Sequence, residues 1–367
     1  MALAKPETGA LNAICPYFTM FPLAFPMSVL RRRSSARDWV VDPFCGRGTT
    51  NLAARLLGLP TFGIDSHPLA IAISSAKLVA TTADEIMREL DAILGSGDTP
   101  AHVPHGRFWE LAFHPAVLSD LCVVREALLG ACSTAPRVAL RAVVLGALHG
   151  PQTRGGMSHL SNQAPRTYAP KPDYAVRFWQ DRLMVAPEVD VREVVRRRAL
   201  RYFPDTTCPA TGSVVLGDAR TLEAFETAPT SVAWFVTSPP YYGLRTYVPD
   251  QWLRLWFLGG PEHVQYADAA QLAHHSPESF ASDLRQVWVN CARISAPDGR
   301  LVIRFGGIND RKADPLEILR LSLAKSGWRM QTRVSAGTAN RGRRQAASFT
   351  RAKAPPREEF DLWVVRE

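Results

Sequence analysis

Trp39-Val40-Val41-Asp42-Pro43-Phe44-Cys45-Gly46-Arg47-Gly48-Thr49-Thr50 decides the fold. The apolar start reads as a buried strand that runs into a glycine loop. Gly46 and Gly48 permit a tight turn and close approach of the backbone to a ligand. A helix predicted over residues 51–57 then offers free N–H groups at its start. After Gly58, a second strand, Thr61-Phe62-Gly63-Ile64, ends on Asp65. The interval from Asp42 to Asp65 fits one strand–helix–strand unit with an acid at the second strand's tip. That geometry grips ribose hydroxyls. No Gly-Lys-Ser/Thr follows, so the loop is not a phosphate-binding P-loop.

Further strands are predicted downstream. Ser213-Val214-Val215-Leu216-Gly217 leads to Asp218, and Ser231-Val232-Ala233-Trp234-Phe235-Val236 leads to Thr237-Ser238-Pro239-Pro240-Tyr241. Two prolines cannot continue a strand ladder, so the chain must turn there. In open α/β sheets, ligands bind at such carboxyl ends. The alternative is a plain strand-ending turn with a packed tyrosine. Helices are predicted over 221–227, 279–294 and 316–325, the last with Gly327 as its C-cap. Strands over 300–305, 329–334 and 360–365 complete an α/β sheet that is mostly parallel, with an antiparallel C-terminal strand.

Residues 81–211 read differently. Amphipathic helices are predicted over 83–94, 116–131 and 138–148, and a charged helix carrying Arg196-Arg197-Arg198 over 186–203. Between them, residues 150–174 form a long loop rich in Gly, Pro, Ser and Asn, carrying Arg154, His159, Asn162, Arg166, Tyr168 and Lys171. Long loops in compact domains are functional or disordered, and this one reads either as a solvated linker or as a substrate-facing loop. Arg329 to Lys353 carries seven basic residues and no acid, which favours a phosphate-backbone contact over a merely solvated surface. The arm from Tyr17 to Pro26 is aromatic and proline-rich, either packed on the core or a lid over a flat ligand ring.

The 367 residues carry 43 Lys+Arg against 34 Asp+Glu, a net charge of +9. That balance favours a polyanionic partner such as nucleic acid. The six cysteines form no C-x-x-C pair, so neither a zinc site nor a disulfide framework is indicated. No secretory signal or apolar run of spanning length is present, which points to the cytosol and away from a membrane.

Together these residues resemble the S-adenosylmethionine-dependent amino-methyltransferases of DNA. D-P-F-C-G-R-G-T resembles their glycine loop, G-I-D-S-H-P-L-A their ribose-binding acid, V-L-G-D-A-R the strand whose acid meets the adenine amino group, and T-S-P-P-Y the catalytic motif. The resemblance implies a Rossmann-like class I fold, with a cofactor-binding catalytic domain from 1–80 and 212–367. An inserted helical segment, 81–211, would then recognise the target. It implies S-adenosyl-L-methionine as cofactor, held by Tyr17, Asp42, Pro43, Phe44, Gly46, Gly48, Thr49, Asp65, Asp218, Ala219 and Thr237. Catalysis would fall to Ser238, Pro239, Pro240 and Tyr241. Double-stranded DNA with a flipped target base would meet Arg154, Arg166, Tyr168, Arg245, Arg341, Arg343 and Arg344. A bacterial cytoplasmic, nucleoid-associated enzyme of restriction–modification type is implied, with oligomeric state and a cognate nuclease left open.

The chemistry agrees with that resemblance. An exocyclic base amine is a poor nucleophile, because its lone pair is delocalised into the ring. A neutral hydroxyl (Ser238) and a backbone carbonyl (Pro239) can accept its two N–H bonds and stabilise the positive charge that develops. Pro240 would stiffen the turn and Tyr241 would stack on the base, which must leave the duplex to arrive. No Pro-Cys dipeptide of the carbon-5 cytosine enzymes occurs. Serine in the first catalytic position is the form commonest among N4-cytosine members. N6-adenine, an RNA base and a catalytically silent nucleic-acid-binding subunit remain the alternatives.

Overall fold

Strands β1 (Val40–Asp42), β2 (Thr61–Asp65), β3 (Gly212–Leu216), β4 (Val232–Thr237), β5 (Ser295–Gly306), β6 (Trp328–Thr338) and β7 (Glu358–Arg366) form one seven-stranded sheet in the order β3-β2-β1-β4-β5-β7-β6. This is a computed structural model, and it describes residues 6–17, 21–150, 158–163, 171–203, 210–243, 248–265, 272–307, 313–338 and 358–367. Strands β1 to β5 pair in parallel. β7 runs antiparallel between β5 and β6. This is the Rossmann-like order of class I methyltransferases, with the expected antiparallel C-terminal strand.

The strands are apolar on both faces because both faces are covered. Val41, Phe235, Leu301 and Ile303 join a core with the helices Pro277–Ile294 and Pro315–Leu323, through Leu284, Val287, Trp288 and Leu319. Val40, Trp234, Val236 and Val302 face the other way and pack with Phe25, Val29 and Leu30 of the helix Ala24–Leu30. Helix starts follow their capping chemistry. Ser276 and Ser279 form a capping box on one helix, and Asp314 caps the next.

The chain divides into two compact units. The sheet unit holds the described residues of 17–74, 210–246 and 269–367, and the helical unit those of 1–16, 75–209 and 247–268. The helical unit therefore takes in residues 1–16 and 247–268 as well as the inserted segment. The later stretch is the more telling. Its helix Trp252–Phe257 supplies Trp252 and Trp256, which pack against Phe108 and Trp109. Apolar burial, not chain order, sets the unit to which the stretch belongs.

Several local expectations change. The segment 221–227 makes only a single 3-10 turn, Glu223–Phe225. The helix expected from 186 starts at Val191, where Asp190 accepts from the backbone N–H groups of Arg192 and Glu193. The helix expected to end at Gly327 ends at Leu323, and Gly327 instead makes room for Arg366, whose guanidinium donates to its carbonyl at 2.6 Å. The helices Pro68–Ala76, Arg107–Ala112 and Pro172–Gln180 were not anticipated. The centre of the expected 150–174 loop is anchored. Asn162 is buried, its N–H donating to Ala112 O at 2.6 Å and its amide to Leu111 O at 3.0 Å. Trp179 donates to Gln163 O at 2.7 Å. The basic stretch begins inside β6, which carries Arg329 and Arg333 exposed. No helix among the described residues is long and apolar enough to cross a membrane.

Candidate active site

Parallel pairing sets the carboxyl ends of β3, β2, β1 and β4 side by side. Asp65 pairs in register with Leu216, Asp42 with Gly63, and Val41 with Phe235. The three strand-tip acids and the Thr237–Tyr241 turn therefore share one edge. The order reverses between β1 and β4, the switch point where open α/β sheets bind ligands.

Asp42 is wholly buried. Its Oδ1 accepts from Thr237 Oγ1 at 2.6 Å and from the N–H of Phe44 at 3.1 Å. Its Oδ2 is buried with no hydrogen-bond partner, although Thr50, whose hydroxyl donates to Val236 O, lies near enough to ease the charge. Burial pushes the Asp42 carboxyl up to about 6, against the bonds from Thr237, Thr50 and Phe44. Burial likewise raises Asp65 to about 6, although the N–H groups of His67 and Gly46 donate to it at 2.9 and 2.8 Å. Neither acid makes an ion pair with a described residue. The two also repel each other, which adds a little to the rise at Asp42.

The glycine loop is held by its own atoms. Gly46 and Gly48 have φ of +51° and +73°, a left-handed conformation that favours glycine. A Cβ at Gly48 would sit 2.6 Å from Cβ of Ser74, so this residue lets the following helix pack closely. Tyr17 lies over Gly46 and meets His67 edge-on, at 6.0 Å between ring centres. Thr49 and Pro43 are buried, and Phe44 packs edge-on against Trp288.

In the turn after β4, Ser238 is half-buried. Neither its hydroxyl nor the carbonyl of Pro239 has a hydrogen-bond partner among the described residues. Tyr241 stands edge-on to Phe305, with ring centres 5.2 Å apart.

The first seventy-odd residues, which contain this loop, Asp42 and Asp65, carry the match to a known family. Residues 4–76 match the DNA methylase family. No curated protein matches the chain. Among solved structures, the chain is similar to the rRNA methyltransferase aviRa from Streptomyces viridochromogenes, at 12% identity, with 99% of this chain and 91% of that one covered and a TM-score of 0.36. It is also similar to a SAM-dependent methyltransferase from Methanosarcina mazei, at 8% identity, with 95% and 99% covered and a TM-score of 0.35. TrmN from Thermus thermophilus gives 9% identity, 98% and 52% covered, and a TM-score of 0.37. These likenesses are weak, and the fold assignment rests on the strand order.

Residues 4–76 thus resemble a methylase, and the site residues fit S-adenosylmethionine as its cofactor. The ligand's sulfonium and ammonium groups are cations. Asp42 is an acid kept from water without a counter-cation among the described residues, and its Oδ2 is a buried acceptor left open; Asp65, half-buried, also has no ion pair among them. A cation arriving there would recover the cost of that burial.

Asp218 is placed differently from its neighbours. Arg220 grips both of its oxygens, with Nη2 to Oδ2 at 2.6 Å and Nε to Oδ1 at 3.0 Å, and also holds Asp283 at 2.8 Å. Burial would raise the Asp218 carboxyl, but the bonds from Arg220 outweigh it and hold the group below its usual value. Ala219 is buried, and its carbonyl accepts from Asn290 at 3.1 Å.

Three residues around the site are not legible in the sequence. Glu359 on β7 accepts from Tyr241 OH at 3.2 Å. His274 accepts from Gly243 N–H at 3.1 Å, which fixes the chain just past the turn. Arg220 shows in the sequence only as the residue after Ala219. Glu359 and His274 lie far along the chain and belong to no local motif, so only the fold brings them in. Arg154, Arg166, Tyr168, Arg245, Arg341, Arg343 and Arg344 lie outside the described residues.

Proposed function

We propose that this methyltransferase acts on duplex DNA, moving a methyl group to the exocyclic amine of a flipped-out base, cytosine N4 in the first instance. The observation that carries the reading is the pair of acceptors, Ser238 Oγ and Pro239 O, that have no partner among the described residues. The same β4 tip is tied by Thr237 to Asp42 beside the glycine loop. An amino group with two N–H bonds is the donor that such a pair accepts.

When bound, S-adenosylmethionine supplies an electrophilic methyl on a sulfonium. The chain's residues position the other reactant. Ser238 and Pro239 take the amine's two N–H bonds and draw its lone pair out of the ring plane. As the nitrogen becomes tetrahedral it gains positive charge, which both acceptors stabilise. Tyr241, held by Phe305 and Glu359, offers a ring face for the base. The product amine's extra proton passes to water, so no covalent enzyme intermediate and no strong base are required. The family match and the excess of basic residues support DNA as the polymer. The N4-cytosine assignment rests on serine in the first position.

The test is transfer from radiolabelled S-adenosylmethionine to duplex DNA, with mass spectrometry of the digested nucleosides. N4-methylcytosine is the expected product. Ser238→Ala should lower kcat by about 10²-fold or more, the scale for loss of a charge-stabilising hydrogen bond, with cofactor affinity unchanged. N6-methyladenine would move the assignment to the other base, and label found only in RNA would overturn the DNA reading.

A further inference from the structure

The helical unit contains a cavity of about 420 Å³, the size of a small-ligand pocket. Its wall includes Gly146, Ser158, His159, Arg197, Arg198 and Arg201, and no carboxylate among the described residues lines it. We propose that this cavity binds a phosphate group, and that in the working enzyme the group belongs to the backbone of the nucleic-acid substrate. The carrier of the phosphate rests on the function proposed above; the pocket does not.

The arginines come from one helix, Val191–Tyr202, at spacings that put 194, 197, 198 and 201 on one face. Three like charges on adjacent turns repel, and the arrangement is favourable only with anionic charge nearby. Arg197 has a partner, Glu193, at 3.3 Å. The other two do not have an acid among the described residues. Arg198 is half-buried and spends Nε and Nη2 on the carbonyl of Ser158, at 3.2 and 2.9 Å. Its Nη1 is left over, beside Gly146. Burial lowers the Arg198 guanidinium from its usual value, and Arg254 and Arg201 lower it further. Arg201 lies over the ring of Tyr202, at 5.5 Å from its centre, and makes no ion pair with a described residue. Fixed guanidinium forks match phosphate oxygens in geometry as well as charge.

The cavity's wall is also built closely. A Cβ at Gly146 would fall 2.1 Å from the carbonyl oxygen of Ile14, so glycine there lets the 3-10 turn Pro6–Ala13 and its continuation close the wall. Ser158 bonds the His159 ring at 2.9 Å, and that ring covers Gly150. A merely solvated basic face would need neither the glycine nor a carbonyl clamp on Arg198.

Two probes test the proposal on the full chain: inorganic pyrophosphate by calorimetry, and duplex DNA by fluorescence anisotropy between about 50 and 200 mM salt. Arg201 is exposed, so Arg201→Glu should fold; Arg198→Lys keeps the charge and loses the clamp on Ser158 that fixes Nη1. Pyrophosphate should bind the wild type, at least tenfold weaker to Arg201→Glu and several-fold weaker to Arg198→Lys. DNA affinity should fall in parallel, with the salt slope reduced by about one. S-adenosylmethionine affinity should not move. Pyrophosphate binding lost with DNA binding unchanged would overturn the backbone role and leave a site for a free phosphate compound. If neither ligand responds to either variant, the pocket reading is wrong. Pyrophosphate binding that depends on Arg201 in a chain that methylates no nucleic acid would instead uphold the pocket and sink the function proposed above.

Discussion

The sheet unit and the helical unit differ in the charge they bury completely: the carboxylate of Asp42 in the first, the cations Lys77 and Arg254 in the second. In the sheet unit, Asp42 and Asp65 stand at strand tips with raised carboxyls and no cation beside them among the described residues. In the helical unit, Lys77 and Arg254 are wholly buried, and Arg198 is held with its guanidinium lowered. Buried charge is costly, and it is kept where geometry satisfies it or a ligand does. Lys77 bonds Asn12 at 2.9 Å, and Arg254 bonds Gln251 and the carbonyls of Leu145 and His149 at 2.9 to 3.1 Å. Those two are structural. Asp42 Oδ2 and Arg198 Nη1 have no such satisfaction from described residues. The difference teaches which charges belong to the fold and which await a ligand: a cation in the sheet unit, an anion in the helical one.

The structural half of the comparison is broken most directly at Arg254. Arg254→Met removes the donors of three hydrogen bonds and leaves two buried carbonyls and the Gln251 side chain without them. A loss of about 3–5 kcal/mol is expected, the scale for disrupting a buried charged network. Chemical denaturation followed by tryptophan fluorescence would measure it, since Trp252 and Trp256 share that helix. A loss under about 1 kcal/mol would mean that Arg254 is not holding the unit together, and the division between structural and ligand-directed charge would fail. Arg201→Glu is the control, and its stability should barely change because Arg201 is exposed.

Much of the sheet unit was legible because its rules are local. The Asp42–Gly48 loop, the strand to Asp65 and the Ser238–Tyr241 turn each carry their chemistry within a dozen residues. The apolar strands announce a sheet covered on both faces. What was hidden depends on contacts between distant parts of the chain. Trp252 joins the helical unit through Phe108 and Trp109, some 140 residues earlier. The 150–174 stretch reads as one long loop by composition, yet Leu160 and Ser161 are buried because the Ala147 carbonyl and the His149 ring capture that part of it. The arginine cavity escaped for a simpler reason. A triple arginine on a helix reads as solvated surface until a carbonyl from residue 158 is seen against it.

The sheet unit's half of the comparison is sharpened by pH. Asp42 and Asp65 have folded carboxyls near 6, above the ordinary value of 3.8. Between those values the folded state holds more protons than the unfolded one, so stability falls as pH rises through the window and is regained on acidification. Each acid should contribute about 1 kcal/mol of added stability to the ligand-free protein between pH 7.5 and 5.5. The lowered acids, Asp218 among them, lose their contribution only at lower pH. Cofactor affinity should move the opposite way, several-fold weaker at pH 5.5, because the cation needs the ionised carboxylates. Thermal melts with and without S-adenosylmethionine across that range check both signs. A ligand-free protein that loses stability from pH 7.5 to 5.5, with cofactor affinity flat, would show that these acids are satisfied by the fold itself.

The smallest expected effect lies at Glu359 of β7, an acid that does have a partner in the turn. Its carboxylate accepts from Tyr241 OH, and the Tyr241 ring leans on Phe305. A Cβ added at Gly306 would come within 2.9 Å of Glu359 and 3.4 Å of Tyr241, so the glycine keeps the two close. By the reasoning applied to Arg254, this acid serves position and not ligand charge. Glu359→Ala should therefore loosen the ring's aim and raise KM for the nucleic-acid substrate about two- to fivefold, the scale of a part-exposed hydrogen bond of about 0.5–1 kcal/mol. Cofactor affinity and the pH response of Asp42 and Asp65 should stay as they were. Tyr241→Phe removes the same bond from the other side, so the double variant should be no worse than either single one. Additive losses would mean that Glu359 acts elsewhere than through the tyrosine. A fall in cofactor affinity would place it with Asp42 and Asp65 among the acids that await a cation.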